Sequence, residues 1–194
     1  MIDSRISQLA KAGMIFPYSK ACVQPCSYDL HLGLNAKIEA RVGFKSLDLS
    51  RYSKERPYYM RPGDFILAET AETIRLPDNV EAHLHLVSSR ARQGLNHLLS
   101  GLVDTGYQGV LTLELQNVLR YNKVGIYPNQ RIAQLTFWEY SENSDHPYRG
   151  RYFGDTQVSE AKTNESKLLR PSWGKNLRGR LSGWAGSLFL HNPR

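Results

Sequence analysis

The chain has 194 residues, 41% of them hydrophobic and 22% charged, which gives one sizeable core and excludes both a disordered chain and two ordinary domains. No run approaches the ~18 consecutive apolar residues of a membrane span. The net charge of +7 is local: six basic residues from Lys167 to Arg194 have no acidic residue among them, and the remainder holds 19 basic against 18 acidic residues.

The opening reads as one short helix. Ile2, Ile6, Leu9 and Ala10 recur at helical spacing, Asp3 or Ser4 can cap, and Gly13 ends it. The start lacks the apolar run of a signal peptide. Cys22 and Cys26 are too few for a disulfide scaffold or, alone, a structural zinc site. A reducing, cytoplasmic location with no membrane partner is expected.

From there the period changes to two. Tyr28, Leu30 and Leu32 alternate with Asp29 and His31, and Val80, Ala82, Leu84 and Leu86 with Glu81, His83 and His85. Leu111, Leu113 and Leu115 alternate with Thr112, Glu114 and Gln116, and Ala133, Leu135 and Phe137 with Gln134 and Thr136. Such alternation marks half-buried strands. Arg61-Pro62-Gly63-Asp64, Leu76-Pro77-Asp78-Asn79 and Tyr127-Pro128-Asn129-Gln130 punctuate them. Strands without long intervening helices argue an all-β barrel or jelly roll.

Several chemistries are excluded. There is no phosphate-cradling P-loop and no G-x-S-x-G elbow. His83 and His85 share one strand face, but a metal would need a third ligand, so surface histidines are expected. The zinc-deaminase signature, H-x-E with P-C-x-x-C, is absent: Pro25-Cys26 has no cysteine three residues on.

Four segments carry the remaining signal. They are Val23-Gln24-Pro25-Cys26-Ser27-Tyr28-Asp29-Leu30-His31-Leu32-Gly33, Ser88-Ser89-Arg90-Ala91-Arg92-Gln93-Gly94, the run from Gly101 through Asp104 and Tyr107 to Asn117, and Asn129-Gln130-Arg131-Ile132-Ala133-Gln134-Leu135. Glu114 lies on the strand face opposite the leucines. A semi-apolar pocket there would raise its carboxyl toward the range useful for acid–base work.

In this order the segments resemble the dCTP deaminase branch of the trimeric dUTPase superfamily, from residue 1 to about residue 160. Tyr148-Arg149-Gly150-Arg151-Tyr152-Phe153-Gly154 is similar to that family's C-terminal element. The resemblance implies a distorted jelly-roll or β-barrel with a short N-terminal helix, a homotrimer with sites between subunits, and zinc-free deamination of dCTP to dUTP. Some members continue to dUMP. It implies catalytic roles for Glu114, Ser88, Arg92 and Asp104, Asp104 also reading the 3′-hydroxyl. Glu114 followed by Asn117 marks the deaminase branch. Ser89, Gln134, Tyr148 and Arg151 would contact the phosphates or close over the nucleotide, and Tyr107 would stack under the sugar. Mg²⁺ would arrive on the triphosphate, which suits its preference for phosphate oxygens and water.

The chain departs from the pattern at Val87, where the family usually has Arg, at Leu102, and at Asp155, a carboxylate expected to repel phosphates. Arg90 is an extra base that could compensate. Ser100-Gly101-Leu102-Val103-Asp104 is more similar to dUTPases and dual-activity members. Two other readings stand beside the deaminase: a dUTP diphosphatase without deaminase activity, and a non-catalytic nucleotide-sensing trimer. The division expected is a domain over 1–166 and a basic tail over 167–194. Trp173, Trp184, Leu188 and Phe189 favour packing of the tail over nucleic-acid binding.

Overall fold

The computed structural model describes residues 1–97 and 101–163. The tail from 167 lies outside the described residues, so the domain division is neither supported nor opposed by them.

The chain is mostly β, with a curled half-barrel sheet and a short N-terminal helix. Helix α1 (Asp3–Leu9) runs into a wider turn over Ala10–Met14, where Gly13, at φ +106°, takes a backbone conformation that L side chains resist. Its cap differs from the expectation. Ile2 is the N-cap, and Asp3 lies inside the first turn. The reason is tertiary: the Asp3 amide donates to the Pro25 carbonyl at 3.0 Å, and the Met1 ammonium to the Phe137 carbonyl at 2.7 Å. A neighbouring loop thus satisfies the first of the helix's unpaired amides, and the Asp3 carboxylate accepts from the next, that of Ser4, at 2.7 Å.

The strands are β1 (Ile15–Phe16), β2 (Tyr28–Glu39), β3 (Phe44–Asp48), β4 (Tyr58–Met60), β5 (Phe65–Arg75), β6 (Val80–Leu86), β7 (Leu95–His97), β8 (Leu102–Val103), β9 (Gln108–Asn117), β10 (Val124–Ile126) and β11 (Arg131–Glu139). The main sheet runs β7-β9-β5-β2-β11-β6-β8, with β1 beside β5 and β3 beside β2; β4 and β10 form a separate pair. Registers shift between Leu32 and Ala36, Glu69 and Thr73, and Arg131 and Ala133. Such irregularities bend strands and increase their twist.

The core is the inner face of this sheet. Leu113 and Leu115 of β9 oppose Ala68 and Ile66 of β5, and all four are fully buried. Burying one Leu or Ile contributes about 1.5–3 kcal/mol. Tyr28, Leu30 and Leu32 are equally buried, with Ile6 of α1 and Ala10 of the turn after it in the same cluster.

The polar positions of β2 are structural. Glu72, buried on β5, accepts from the His31 amide at 2.9 Å and lies 2.6 Å from His31 Nδ1. Asp29 pairs with Arg131 at 3.2 Å, and burial pushes its carboxyl up while Arg131 opposes the shift.

Helix α2 (Ser88–Arg92) follows β6 directly. His83 and His85 lie side by side on β6, rings 6.5 Å apart, with Trp138 edge-on to His83 at 4.9 Å. Cys22 is buried and Cys26 exposed, and they are not bonded to each other. No helix among the described residues is long and apolar enough to cross a membrane.

Candidate active site

The period-two pattern of β9 does two jobs. Leu113 and Leu115 fill the core, so Thr112 and Glu114 must face the other way. On that outer face Glu114 stands opposite Leu67 of β5, and Thr112 opposite Glu69. A cavity of about 430 Å³ opens over them. It is lined by Phe44, Phe65, Leu67, Tyr107, Val110, Thr112, Glu114, Tyr152, Asp155 and the segment Ser159, Glu160, Ala161. Phe44 and Phe65 meet edge to face at 6.0 Å.

Glu114 is a half-buried carboxylate of this largely apolar cavity, and burial pushes its carboxyl above the ordinary value. The sequence pattern anticipates this. A buried, apolar setting disfavours the charged form.

Tyr107 lies in the same wall. Its hydroxyl donates to the Val110 carbonyl at 2.7 Å, and burial pushes its phenol far up. Its ring tilts against Tyr148 at 5.7 Å, and the Tyr148 hydroxyl accepts from the Tyr152 amide at 3.1 Å. The three tyrosines form one connected wall.

The other expected site residues stand elsewhere in the chain. Ser88, Ser89 and Arg92 are exposed on α2, and Asp104 is exposed in the turn after β8. Gln134 accepts from Ser27 Oγ at 3.0 Å on β11. Arg151 is exposed, with its carbonyl accepting from Lys162. None of these lines the Glu114 cavity. Arg90, the extra base of α2, is occupied: its Nε donates to the Arg131 carbonyl at 3.1 Å and its Nη1 to Gln93 at 2.8 Å. A second cavity of about 520 Å³ lies beside α2, with His83, His85, Asn96 and Leu102 among its lining.

Two other positions gain meanings the sequence did not supply. Asn117 is buried and structural: its Nδ2 donates to the carbonyls of Met60 and Asn122, and its Oδ1 accepts from Leu119. Asp155 is engaged by Ser159 Oγ at 2.7 Å and by the Lys162 ammonium. Its charge is therefore partly answered within the chain. The sequence reading missed Phe44, Phe65, Thr112 and the 158–161 segment. Thr112 alone carried a signal, since it alternates onto the Glu114 face.

Among the described residues, no group of three or more His, Cys, Asp or Glu is placed to hold a metal ion. A half-buried carboxylate in a mostly apolar cavity, on an antiparallel sheet, is an arrangement suited to acid–base chemistry on a small molecule.

The chain belongs to the dCTP deaminase-like family, whose model matches residues 1–140. A dCTP deaminase, dUMP-forming, of Dictyoglomus thermophilum is 36% identical over 138 residues, covering 65% of this chain and 71% of that protein. One of the same name from Persephonella marina is 36% identical over 163 residues, covering 78% and 90%. The crystal structure of 2′-deoxycytidine 5′-triphosphate deaminase from Agrobacterium tumefaciens superposes with a TM-score of 0.59 at 20% identity. That match covers 71% of this chain and 47% of the other, so this chain spans about half of that protein's length and shares its fold.

Proposed function

We propose that this protein is a dCTP deaminase of the dUMP-forming kind. The observation that carries the reading is Glu114: a carboxylate raised by burial, facing into a cavity of about 430 Å³. A cytosine ring is small and planar, and a largely apolar slot suits it.

Deamination adds water across C4 and expels the amine. Glu114 first takes a proton from the attacking water and then delivers it to the departing nitrogen, so dCTP and water give dUTP and ammonia. A carboxyl held above its ordinary value suits both halves of that cycle. A second hydrolysis splits dUTP to dUMP and diphosphate. Asp104 helps place that second water and reads the 3′-hydroxyl, and Leu102 in place of Arg fits the two-step pattern. Ser88 and Arg92 hold the base and attacking water. Ser89, Gln134 and Arg151 take the phosphates, and Tyr107, backed by Tyr148, excludes a 2′-hydroxyl.

These residues need a way to meet. Ser88, Ser89, Arg92 and Asp104 are exposed and lie outside the Glu114 cavity of their own chain. A homotrimer that presents α2 of one copy to the Glu114 cavity of another supplies it. The distorted barrel expected of this fold gives that trimer its frame. Mg²⁺ suits a site of this donor set when it is carried by the triphosphate, where it would neutralise phosphate charge. Water activation is assigned to Glu114, without zinc.

The test is chromatography of products from the purified protein incubated with Mg²⁺ and either dCTP or dUTP. The reading expects dCTP to yield dUMP and ammonia. Consumption of dUTP alone would replace it with a plain dUTP diphosphatase. Saturable binding of either nucleotide without turnover would replace it with the nucleotide-sensing trimer.

A further inference from the structure

The outer wall of the Glu114 cavity is a strip of chain with no secondary structure of its own. After a parallel bridge between Asp155 and Gly109, residues 155–163 cross the outer face of β9 and β5. A strip without internal hydrogen-bond ladders holds its place only through bonds to what lies beneath.

Three of those bonds come from polar side chains at the sheet surface. Glu69 Oε2 accepts from the buried Val158 amide at 3.0 Å. Thr112 Oγ1 accepts from the Ser159 amide at 3.3 Å. Lys37 pairs with Glu160 at 2.7 Å. Glu69 is the most deeply set of the three, only 7% exposed. Its other oxygen, Oε1, accepts from the Asn35 amide at 3.0 Å and from Asn35 Nδ2 at 2.7 Å.

The first sequence motif explains how a carboxylate comes to sit there. A Cβ on Gly33 would lie 2.4 Å from Glu69 Cγ and 3.1 Å from its Oε1. The glycine that ends the Tyr28–Gly33 run is thus the seat of the Glu69 side chain. Its absent side chain lets β5 place a carboxylate over β2, within reach of Val158.

We propose that Glu69, seated over Gly33, is a positioning residue that holds Val158 and so fixes residues 155–163 as the outer wall of the Glu114 cavity. Its consequence for catalysis rests on the reading of Glu114 as the acid–base group. With the wall in place Ser159, Glu160 and Ala161 exclude water from one side of that carboxyl. With the wall loosened, water enters, the ionised form is better solvated, and the acidic limb of the pH–rate profile moves down. The titratable groups that line the cavity with Glu114 are Tyr107, just before β9, Tyr152, just before the covering strip, and Asp155 and Glu160 of the strip itself. Lys162 pairs with Asp155, and Lys37 with Glu160.

The test uses the full-length protein and two substitutions. Glu69→Gln keeps shape and turns an acceptor into a donor opposite Val158. Thr112→Val removes the Ser159 acceptor and leaves every charge in place, so it separates loosening from a change of charge near the cavity. Amide hydrogen exchange reads the wall directly. Val158 is expected to be protected in the unsubstituted protein, and peptides over 155–163 to exchange about tenfold or more faster in Glu69→Gln. The acidic limb of kcat/KM for dCTP is expected to fall by about half a pH unit or more in Glu69→Gln, and by less, in the same direction, in Thr112→Val.

Rapid exchange of the Val158 amide in the unsubstituted protein would overturn the proposal, even if Glu69→Gln cannot be obtained folded. So would faster exchange over 155–163 with an unmoved limb in both variants. Absence of any Glu114-dependent deamination would instead overturn the functional reading. The exchange result would still decide whether Glu69 holds the wall.

Discussion

Glu114 and Ser88 belong to two differently finished regions of the molecule. Glu114 sits in a cavity lined by its own chain, with Tyr107 and Tyr152 along one wall and residues 159–161 along another. The Ser88–Arg92 turn projects into solvent, and its one engaged cation, Arg90, is tied to Arg131 and Gln93. The first region surrounds a carboxylate. The second presents hydroxyls and a guanidinium to solvent. On the proposed reading, the reacting carboxylate is prepared within one chain and the groups that grip the substrate come from a second copy.

Removing the carboxylate is the sharpest way to break that contrast. Glu114→Gln preserves the cavity's shape and should lower kcat for dCTP deamination by about 10³-fold, within the range for loss of a general acid–base group. Steady-state ammonia release with a coupled assay measures it. Retention of more than a tenth of the activity would show the cavity to be a bystander.

Arg92→Ala and Ser88→Ala act on the other region. Each should lower kcat/KM by about 10²-fold, as expected for a lost charge-assisted or water-positioning hydrogen bond in a desolvated site. Thermal melts should stay at the parent value, because both side chains are exposed.

Asn117→Ala should do the reverse. Asn117 makes three hydrogen bonds that tie β9 to the loop after it and to Met60. Their loss should destabilise the fold by about 2–3 kcal/mol in denaturant titrations. A family marker on the Glu114 strand is here a brace for it.

The stability of Glu114→Gln carries a pH signature. Burial holds the Glu114 carboxyl above its ordinary value of 4.5, so the folded chain binds that proton more tightly than the unfolded one. The stability this contributes is fully present below 4.5 and is lost as pH rises through the folded value. Glu114→Gln, neutral throughout, should therefore melt at a higher temperature than the parent at pH 8. The gap should close toward pH 4. The smallest effect belongs to Arg90→Ala. Its exposed contacts to Arg131 and Gln93 should leave stability within about 0.5 kcal/mol and KM within a small factor.

The legible and illegible parts of this chain divide along a physical line. Glu114 was readable because β9 has one face in the core and one outside, so Leu113 and Leu115 betray the face opposite. β5 was not readable, although it joins β1, β2 and β9. Ile66 through Thr70 are all buried, which erases the alternation, and Glu69 and Glu72 interrupt the apolar run. Those carboxylates are buried because Gly33, Asn35, Val158 and His31 receive them, and all four lie more than thirty residues away. The 155–163 wall left no pattern for the same reason: its position is set by acceptors on distant strands. Asp155 looked repulsive in sequence because Ser159 and Lys162, its partners, could not be seen to fold back onto it. The helix start differs on the same ground, since the carbonyl that takes the Asp3 amide belongs to Pro25, beyond the helix.

The most direct test of a site divided between copies is complementation. Glu114→Gln and Arg92→Ala, each nearly inactive alone, are unfolded together, refolded as a mixture, and assayed for dCTP deamination. The account predicts that activity returns to a substantial fraction of the parent's, because some sites in mixed assemblies pair an intact Glu114 with an intact Arg92. Mixed assemblies, verified by differential tags, that show no more activity than the two variants alone would contradict it. The reacting carboxylate and its gripping groups would then have to come from one chain.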